Sequence, residues 1–242
     1  MAPGPDGFSV EFLKTFWSYI REDIKEMLDK LHSGHLELWW LNYGVIILLP
    51  KVKPATHIKQ FRPICLLNVI YKIITKVLTI RLTKVVDKLI SPYQTAFIRG
   101  RNILEGVVIV QEVLHELRIT KKPRVILKLD FEKAYDKVSW PFLEEVMRRK
   151  GFDELWIHWI NCAVKGGRVC IDLNGERGEF FRSFKGLRQG DPLSPLLFNL
   201  VADALSTMLS RASAAGVIQG LVPNLIDGGL THLQYPNDTV IF

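Results

Sequence analysis

At 242 residues, with 48% hydrophobic and 24% charged side chains, the chain has the size and composition of one large folded domain or of a domain with a smaller lobe, which excludes a disordered or fibrous protein. Lys and Arg number 32 against 25 acids, a net charge of +7, so the balance suits a polyanionic partner without requiring one. Cys65, Cys162 and Cys170 are spaced for neither a CxxC zinc pair nor a disulfide framework, and they read as reduced core thiols of an intracellular chain. The longest apolar run, Val45 to Leu49, is too short to span a bilayer and the opening "MAPGPDG" is no signal peptide, so a nuclear or cytoplasmic protein without a membrane partner is expected.

In chain order, apolar residues from Ser9 through Leu13, Phe16, Trp17, Ile20, Ile24, Met27, Leu28 and Leu31 recur at three- and four-residue spacing and predict one amphipathic helix. "HSGH" at His32 to His35 reads as its close, with Gly34 near the C-cap; a metal-binding histidine pair is the alternative. "GVIILLPK" from Gly44 predicts a strand. A second helix is expected from Asn68 to Ile90, with Ile70, Ile73, Ile74, Val77, Leu78, Leu82, Val85 and Leu89 on one side and Ser91-Pro92 as its stop. A third opens at Asn102, with Glu105 in capping-box spacing, and continues through Val108, Val113, Leu114 and Leu117.

"RVILKLDF" from Arg124 predicts a buried strand over Val125 to Leu129, with Asp130 at its end. A carboxylate there suits a hard divalent cation, and an ordinary loop acid is the competing reading. Asp136 follows in a turn, after which Ser139 and Pro141 start a helix that Gly151 closes. "RVCIDL" and "GEFFRSF" form a hairpin around Asn174-Gly175. Gly186, Arg188, Gln189 and Gly190 lead into a long helix begun by Asp191 or Ser194, whose stripe is Leu193, Leu196, Leu197, Leu200, Val201, Ala204, Leu205 and Met208. A cation, an amide and two glycines before a helix N-terminus would let a phosphate or a base approach. Finally "THLQY" and "TVIF" flank "PND" as two strands of a tight hairpin with Asp238 at its tip. The mixed order of helices and strands predicts an α+β fold, with helices packed on an antiparallel or mixed sheet.

Six blocks in this order, "GPDGF" from Gly4, "FRPICLLNVIYKIITKVLTIRL" from Phe61, "QTAFIRGRNI" from Gln94, "LDFEKAYDKVSW" from Leu129, "GLRQGDPLSPLLFNL" from Gly186 and "HLQYPNDTVIF" from His232, resemble the reverse transcriptase domain of LINE-type non-LTR retrotransposons, particularly those of plants. The resemblance implies fingers and palm subdomains over residues 1–242, with a fingers-rich part to roughly 123 and the palm from roughly 124, ending before the thumb. It implies an RNA-directed DNA polymerase that uses two Mg²⁺ ions, an RNA template, a DNA primer and deoxynucleoside triphosphates. By that resemblance Asp130 bridges both metals with the Phe131 carbonyl beside it, and the hairpin's Asn237 and Asp238 fill the other catalytic positions. Tyr135 crowds the sugar 2′ position, Arg62 and Lys51 lie near the triphosphate, and Gln189 with Gly190 pack along the nascent pair. Taken without the resemblance, Tyr135 is a half-buried aromatic, Arg62 and Lys51 are solvated cations, and so are Lys121, Lys122, Arg124, Arg148, Arg149 and Lys150.

One departure stands out, because the family's hairpin reads Tyr-Ala-Asp-Asp where this chain has Tyr235-Pro236-Asn237-Asp238. An amide offers an oxygen but no charge to two closely spaced cations. The expectation is a decayed, truncated retrotransposon product with absent or much reduced polymerase activity. A non-enzymatic nucleic-acid-binding remnant is the second reading. A chain that lacks a stable fold, because an incomplete return strand leaves the hairpin with an open apolar edge, is the third.

Overall fold

The computed structural model describes residues 3–121, 124–223, 226, 228–235 and 238–242. Its strands are β1 Tyr43–Pro50, β2 Phe61–Leu67, β3 Leu127–Asp130, β4 Arg168–Leu173, β5 Glu176–Arg177, β6 Phe181–Arg182, β7 His232–Gln234 and β8 Asp238–Ile241. Its helices are α1 Val10–Thr15, α2 Trp17–His32, α3 Val69–Leu89, α4 Ile103–Thr120, α5 Ala134–Lys137, α6 Trp140–Arg149, α7 Glu154–Val164 and α8 Ser194–Ala214. The fold is α+β, as the order of the elements predicts. Two compact units are formed, one combining Met1–Ile80 with Tyr135–Ser194 and the other Arg81–Ala134 with Pro195–Phe242.

In the first unit the opening helix is two helices. Ser9 caps α1 by accepting the Phe12 N–H, and the chain leaves helical geometry at Phe16 (φ −100°, ψ 13°) before α2 begins. Of the expected stripe Leu13, Ile24 and Leu31 are buried, whereas Phe16 and Trp17 are exposed, so no continuous core face spans the whole stretch and tertiary packing does not hold it as one rod. The chain stops α2 where "HSGH" predicts: Gly34 takes φ +76° and the His35 N–H donates to the Lys30 carbonyl at 2.9 Å.

The first unit's sheet is mixed. β1 runs antiparallel to β2, with Val45 opposite Leu66 and Leu49 opposite Arg62, and parallel to β4, with Gly44 opposite Val169. On its other side β4 takes β5 and β6. Asn174 (φ 56°) and Gly175 (φ 89°) make the two-residue left-handed turn that matches strand twist, and the Gly175 N–H donates to the Asp172 carboxylate at 2.9 Å. Cys65, Leu67, Tyr71 and Val169 form a core cluster with Leu41 and Ile46 against it. α6 has Pro141 in its first turn and is followed by Gly151 at φ +80°, as expected; with α7 it buries Leu143, Met147, Ile157, Ile160 and Ala163. All three cysteines are unpaired and buried.

The second unit holds the sheet β3-β8-β7, in which β8 is central and antiparallel to both neighbours. The expected open edge on the hairpin is therefore absent: β8 is paired on both sides, and β7 is bridged to Gln94, whose flanks exchange Gln234 N–H to Tyr93 O (2.8 Å) and Thr95 N–H to Gln234 O (3.1 Å). Its core is Val113, Leu221, Val222, Leu230, Leu233 and Phe242. Asn102 caps α4 by accepting the Leu104 N–H at 3.0 Å.

Four elements differ from expectation. β3 is short and its approach exposed, Val125 by 80% and Leu127 by 50%, because β3 is an edge strand and an apolar run does not distinguish an edge from a centre. α3 buries Tyr71, Ile74, Leu78, Leu82 and Val86 while Val85 is exposed, and in α4 Val108 and Leu114 are exposed. α8 buries Leu196, Leu197 and Leu200 but leaves Met208 exposed and buries the polar Asn199, Asp203 and Ser206. Among the described residues no helix is long and apolar enough to cross a membrane.

Candidate active site

β3 ends at Asp130 and β8 begins at Asp238, and the register sets these two residues directly opposite each other. Opposite residues of an antiparallel pair send their side chains to one face from Cα atoms about 5 Å apart, so two carboxylates distant in sequence share a small patch. The Tyr235 N–H donates to the Asp238 carbonyl at 2.8 Å, and Pro236 and Asn237, between them in sequence, lie outside the described residues. Lys128 reaches Asp238 at 3.5 Å, but both side chains are substantially exposed and the pair is a weak one. Phe131 follows Asp130 and is exposed.

Two like charges abreast are unfavourable alone and become favourable around a cation, and oxygen donors of this type suit a hard divalent ion. Asp130 and Asp238 supply two oxygen donors of this type in register with each other. Among the described residues no group of three or more His, Cys, Asp or Glu side chains is gathered to hold a metal, so the acid set does not extend to a third carboxylate there.

The hairpin's foundation is polar and buried. His232 in β7 is fully buried, its Nε2 2.6 Å from the Ser206 hydroxyl and its Nδ1 2.8 Å from the Thr231 hydroxyl, with Tyr93 edge-on to its ring. Burial pushes its pKa down to about 4. Gln234 donates to the Ala202 carbonyl at 3.0 Å, Asn199 to the Ala96 carbonyl at 2.7 Å, and Asp203 accepts the Ser91 N–H at 2.7 Å. Asn199, Asp203 and Ser206 thus line one face of α8 at i, i+4 and i+7. An apolar count passes over them, although polar residues at helical spacing inside an apolar run are a signal of this arrangement.

In the first unit, the loop before α8 lies flush on β2. The Cys65 N–H donates to the Gln189 carbonyl at 2.7 Å, and at Gly190 (φ +111°) a Cβ would stand 2.5 Å from the Cys65 carbonyl oxygen, so no other residue fits without displacing β2. The Leu187 N–H donates to the Tyr135 carbonyl at 2.8 Å. Tyr135 is half-buried, and burial pushes its phenol up to about 12. Arg62 is exposed on β2. Lys51, just past β1, is exposed too, its N–H donating to the Gln60 carbonyl at 2.7 Å.

Arg188 is where structure and sequence expectation part. Rather than offering an open cation to a phosphate, its guanidinium turns inward to the Asn42 side-chain oxygen, the Tyr71 hydroxyl and, at 3.3 Å, the Ala163 carbonyl, with Asp191 at 3.9 Å. The reason is Asp191. It is buried and its pKa is raised, with desolvation outweighing the pull of Arg188, so a nearby cation is needed to offset its charge. A cavity of about 190 Å³ opens beside this loop, lined by Pro63, Cys65, Trp140, Phe181 and Gln189 among others, which is small for a nucleotide.

Of the basic clusters, Arg148 pairs with Glu154 and Glu144, and Arg149 with Glu145. Lys121 ends α4 in the left-handed region, and Lys122 lies outside the described residues.

The family described as "Reverse transcriptase (RNA-dependent DNA polymerase)" matches residues 49–242. The chain belongs to the reverse transcriptase family. It is 29% identical over 241 residues to the "Transposon TX1 uncharacterized 149 kDa protein" of Xenopus laevis, covering 99% of this chain and 18% of that protein. It is similar to the "Retrovirus-related Pol polyprotein from type-1 retrotransposable element R2" of Nasonia vitripennis (29% identity, covering 84% of this chain and 19% of that protein). The R2DM polyprotein of Drosophila melanogaster is 28% identical, with 89% and 20% covered. The chain therefore spans about a fifth of the length of these relatives, and it is a reverse transcriptase domain similar to those of non-LTR retrotransposon proteins. In fold it is similar to telomerase from Candida tropicalis in complex with a fragment of telomeric RNA (TM-score 0.55, 12% identity, covering 92% of this chain and 39% of that one). The corresponding Candida albicans complex gives a TM-score of 0.53 at 14% identity, with 95% and 42% covered.

Proposed function

We propose that this reverse transcriptase domain descends from a polymerase that extends a DNA primer on an RNA template, and that polymerase activity in the chain as it stands is reduced by orders of magnitude through Asn237. The observation that carries the reading is the register that sets Asp130 opposite Asp238 at the mouth of a buried-footed hairpin. Asp130, the Phe131 carbonyl and Asp238 would hold Mg²⁺, which when bound lowers the cost of deprotonating the primer hydroxyl and of charge developing on pyrophosphate. With Asn237 in the turn, one negative charge is missing from a set that elsewhere balances two divalent ions. The chain's own residues hold the substrates. Arg62 and Lys51 would take the triphosphate, Gln189 and Gly190 would pack along the nascent pair, and Tyr135 would exclude a 2′ hydroxyl. In this reading residues to roughly 123 are rich in fingers and those from roughly 124 form the palm.

Primer extension on an RNA template with Mg²⁺, comparing the chain with its Asn237→Asp variant at matched folded concentration, tests the proposal. Activity that appears or rises at least about a hundredfold in Asn237→Asp is the expected result, on the scale of lost electrostatic stabilisation at a reacting centre. Equal, robust extension by both would refute it. Salt-dependent binding of primer–template without extension by either would favour the second reading, a nucleic-acid-binding remnant, to which the net charge of +7 is suited.

A further inference from the structure

Gly106 sits inside α4, the second unit's long helix, where a glycine is unfavourable relative to alanine and no turn or positive φ calls for one. It is buried, and the three atoms nearest its missing side chain belong to Tyr235. An ideal Cβ there would stand 2.9 Å from the Tyr235 hydroxyl oxygen and 3.2 Å from Cε1 and Cζ of the ring. Tyr235 also donates its N–H to the Asp238 carbonyl at 2.8 Å. One residue thus joins a seat on α4 to the strand end where Asp238 faces Asp130.

We infer that Gly106 is a positioning residue for the carboxylate hairpin: the gap left by its missing side chain seats the Tyr235 ring, and that seat fixes the residue whose N–H is bonded to Asp238. The inference rests on reading the hairpin as the polymerase site. Only two side-chain torsions separate the ring from the Tyr235 Cα, so a methyl group at position 106 makes the whole ring swing as one rigid unit. Ring and turn are held from the other side as well, because Tyr235 packs against the cluster of Val113, Leu221, Leu230 and Leu233 and β7 is pinned by His232 and Gln234. The swing is therefore resisted by that packing, and what it strains is Tyr235, whose N–H is bonded to Asp238.

The test is a double-variant cycle of Gly106→Ala and Tyr235→Phe in the Asn237→Asp chain, read by thermal midpoint and by binding of Mn²⁺ alone, measured as free Mn²⁺ by electron paramagnetic resonance. Gly106→Ala should lower the midpoint, although alanine inside an ordinary helix raises it, and should weaken Mn²⁺ binding by about tenfold, as loss of a supporting contact typically does. In the Tyr235→Phe background the nearest clashing atom is gone, so adding Gly106→Ala should cost less than half as much in either readout. A raised midpoint for Gly106→Ala, or an equal loss in both backgrounds, would overturn the inference. So would a Gly106→Ala chain that fails to fold and is not restored by Tyr235→Phe. If the parent shows no Mn²⁺ binding, the polymerase reading of the hairpin fails, while the midpoint cycle still decides whether Gly106 makes the seat.

Discussion

Replacing Arg188 by Met removes the cation that the structure folds inward. The side-chain volume is nearly kept, so the cost is polar. The guanidinium serves the Asn42 oxygen, the Tyr71 hydroxyl and the Ala163 carbonyl, and it is 3.9 Å from Asp191, which is 6% exposed. Stripping the partner from a buried ion pair costs about 3–5 kcal/mol, and each hydrogen bond from a charged donor contributes roughly 1.5–3 kcal/mol. Two features reduce the sum. The separation from Asp191 is long, and Asp191 keeps the Leu193 N–H at 3.0 Å and the Tyr71 hydroxyl at 3.3 Å. A net loss of about 3 kcal/mol at pH 7 is expected for Arg188→Met, and about half of that for Arg188→Lys, which keeps the charge but not the fork. Burial already raises the Asp191 pKa and Arg188 opposes the rise, so removing Arg188 raises it further. A raised carboxyl pKa makes the charged form the costly one, so the deficit of the Met variant should shrink as pH falls and Asp191 takes up its proton. Urea unfolding at pH 7 and pH 5 measures both effects, and Arg188→Met with Asp191→Asn should recover to within about 1 kcal/mol of the parent. An Arg188→Met chain within about 0.5 kcal/mol of the parent, or a deficit that neither acid nor Asp191→Asn reduces, would refute the assignment of Arg188 as the counter-charge to Asp191.

Burial holds His232 neutral down to about pH 4, whereas an unfolded histidine titrates near 6.5. Above that value both states are neutral and nothing is gained or lost. Between about 6.5 and 4 the unfolded chain takes up a proton the folded chain refuses, so stability should fall by about 3 kcal/mol across the interval, and His232→Gln should flatten that part of the urea midpoint–pH curve. At the carboxylate pair, Asp130→Asn removes a like charge directly opposite Asp238 and should stabilise the metal-free chain by about 0.2–1 kcal/mol. If Mg²⁺ raises the thermal midpoint of the parent, Asp130→Asn should abolish that rise; an equal rise in both would show that the cation sits elsewhere.

Local chemistry was legible wherever a single short-range rule decides the outcome. Ser9 and Asn102 cap helices, Gly34 and Gly151 end them, Asn174-Gly175 turns a hairpin, and Asp130 ends its strand. What was not legible depends on partners far along the chain. Val125 and Leu127 have the residue types of a buried strand, and only the sheet order leaves them at an edge. Arg188 has the residue type of an open phosphate ligand, and only the burial of Asp191, Tyr71 and Asn42 around it turns it inward. Ser206 and Asp203 lie on α8 and His232 on β7, so their network exists only once α8 is packed against β7. The opposition of Asp130 and Asp238 is of the same kind: each acid is visible singly, and their register is a property of the sheet.

The hairpin's foundation and its charge are therefore held by different residues. His232, Gln234 and Thr239 are buried and fix the two strands, with Ser206, Ala202 and Gln94 as partners, and none of these contacts involves a carboxylate of the candidate site. Asp130 is exposed and Asp238 only partly buried, so their charges face solvent and add nothing to the packing beneath. No carboxylate of the candidate site takes part in the buried network, so Asn237→Asp is expected to change the charge of the site and not the packing beneath it. Stability should then change by less than about 1 kcal/mol in that variant, within the range of a like-charge contact on one sheet face. A larger loss would mean that Asn237 has become part of the turn's own hydrogen bonding, and that restoring the charge disrupts the turn.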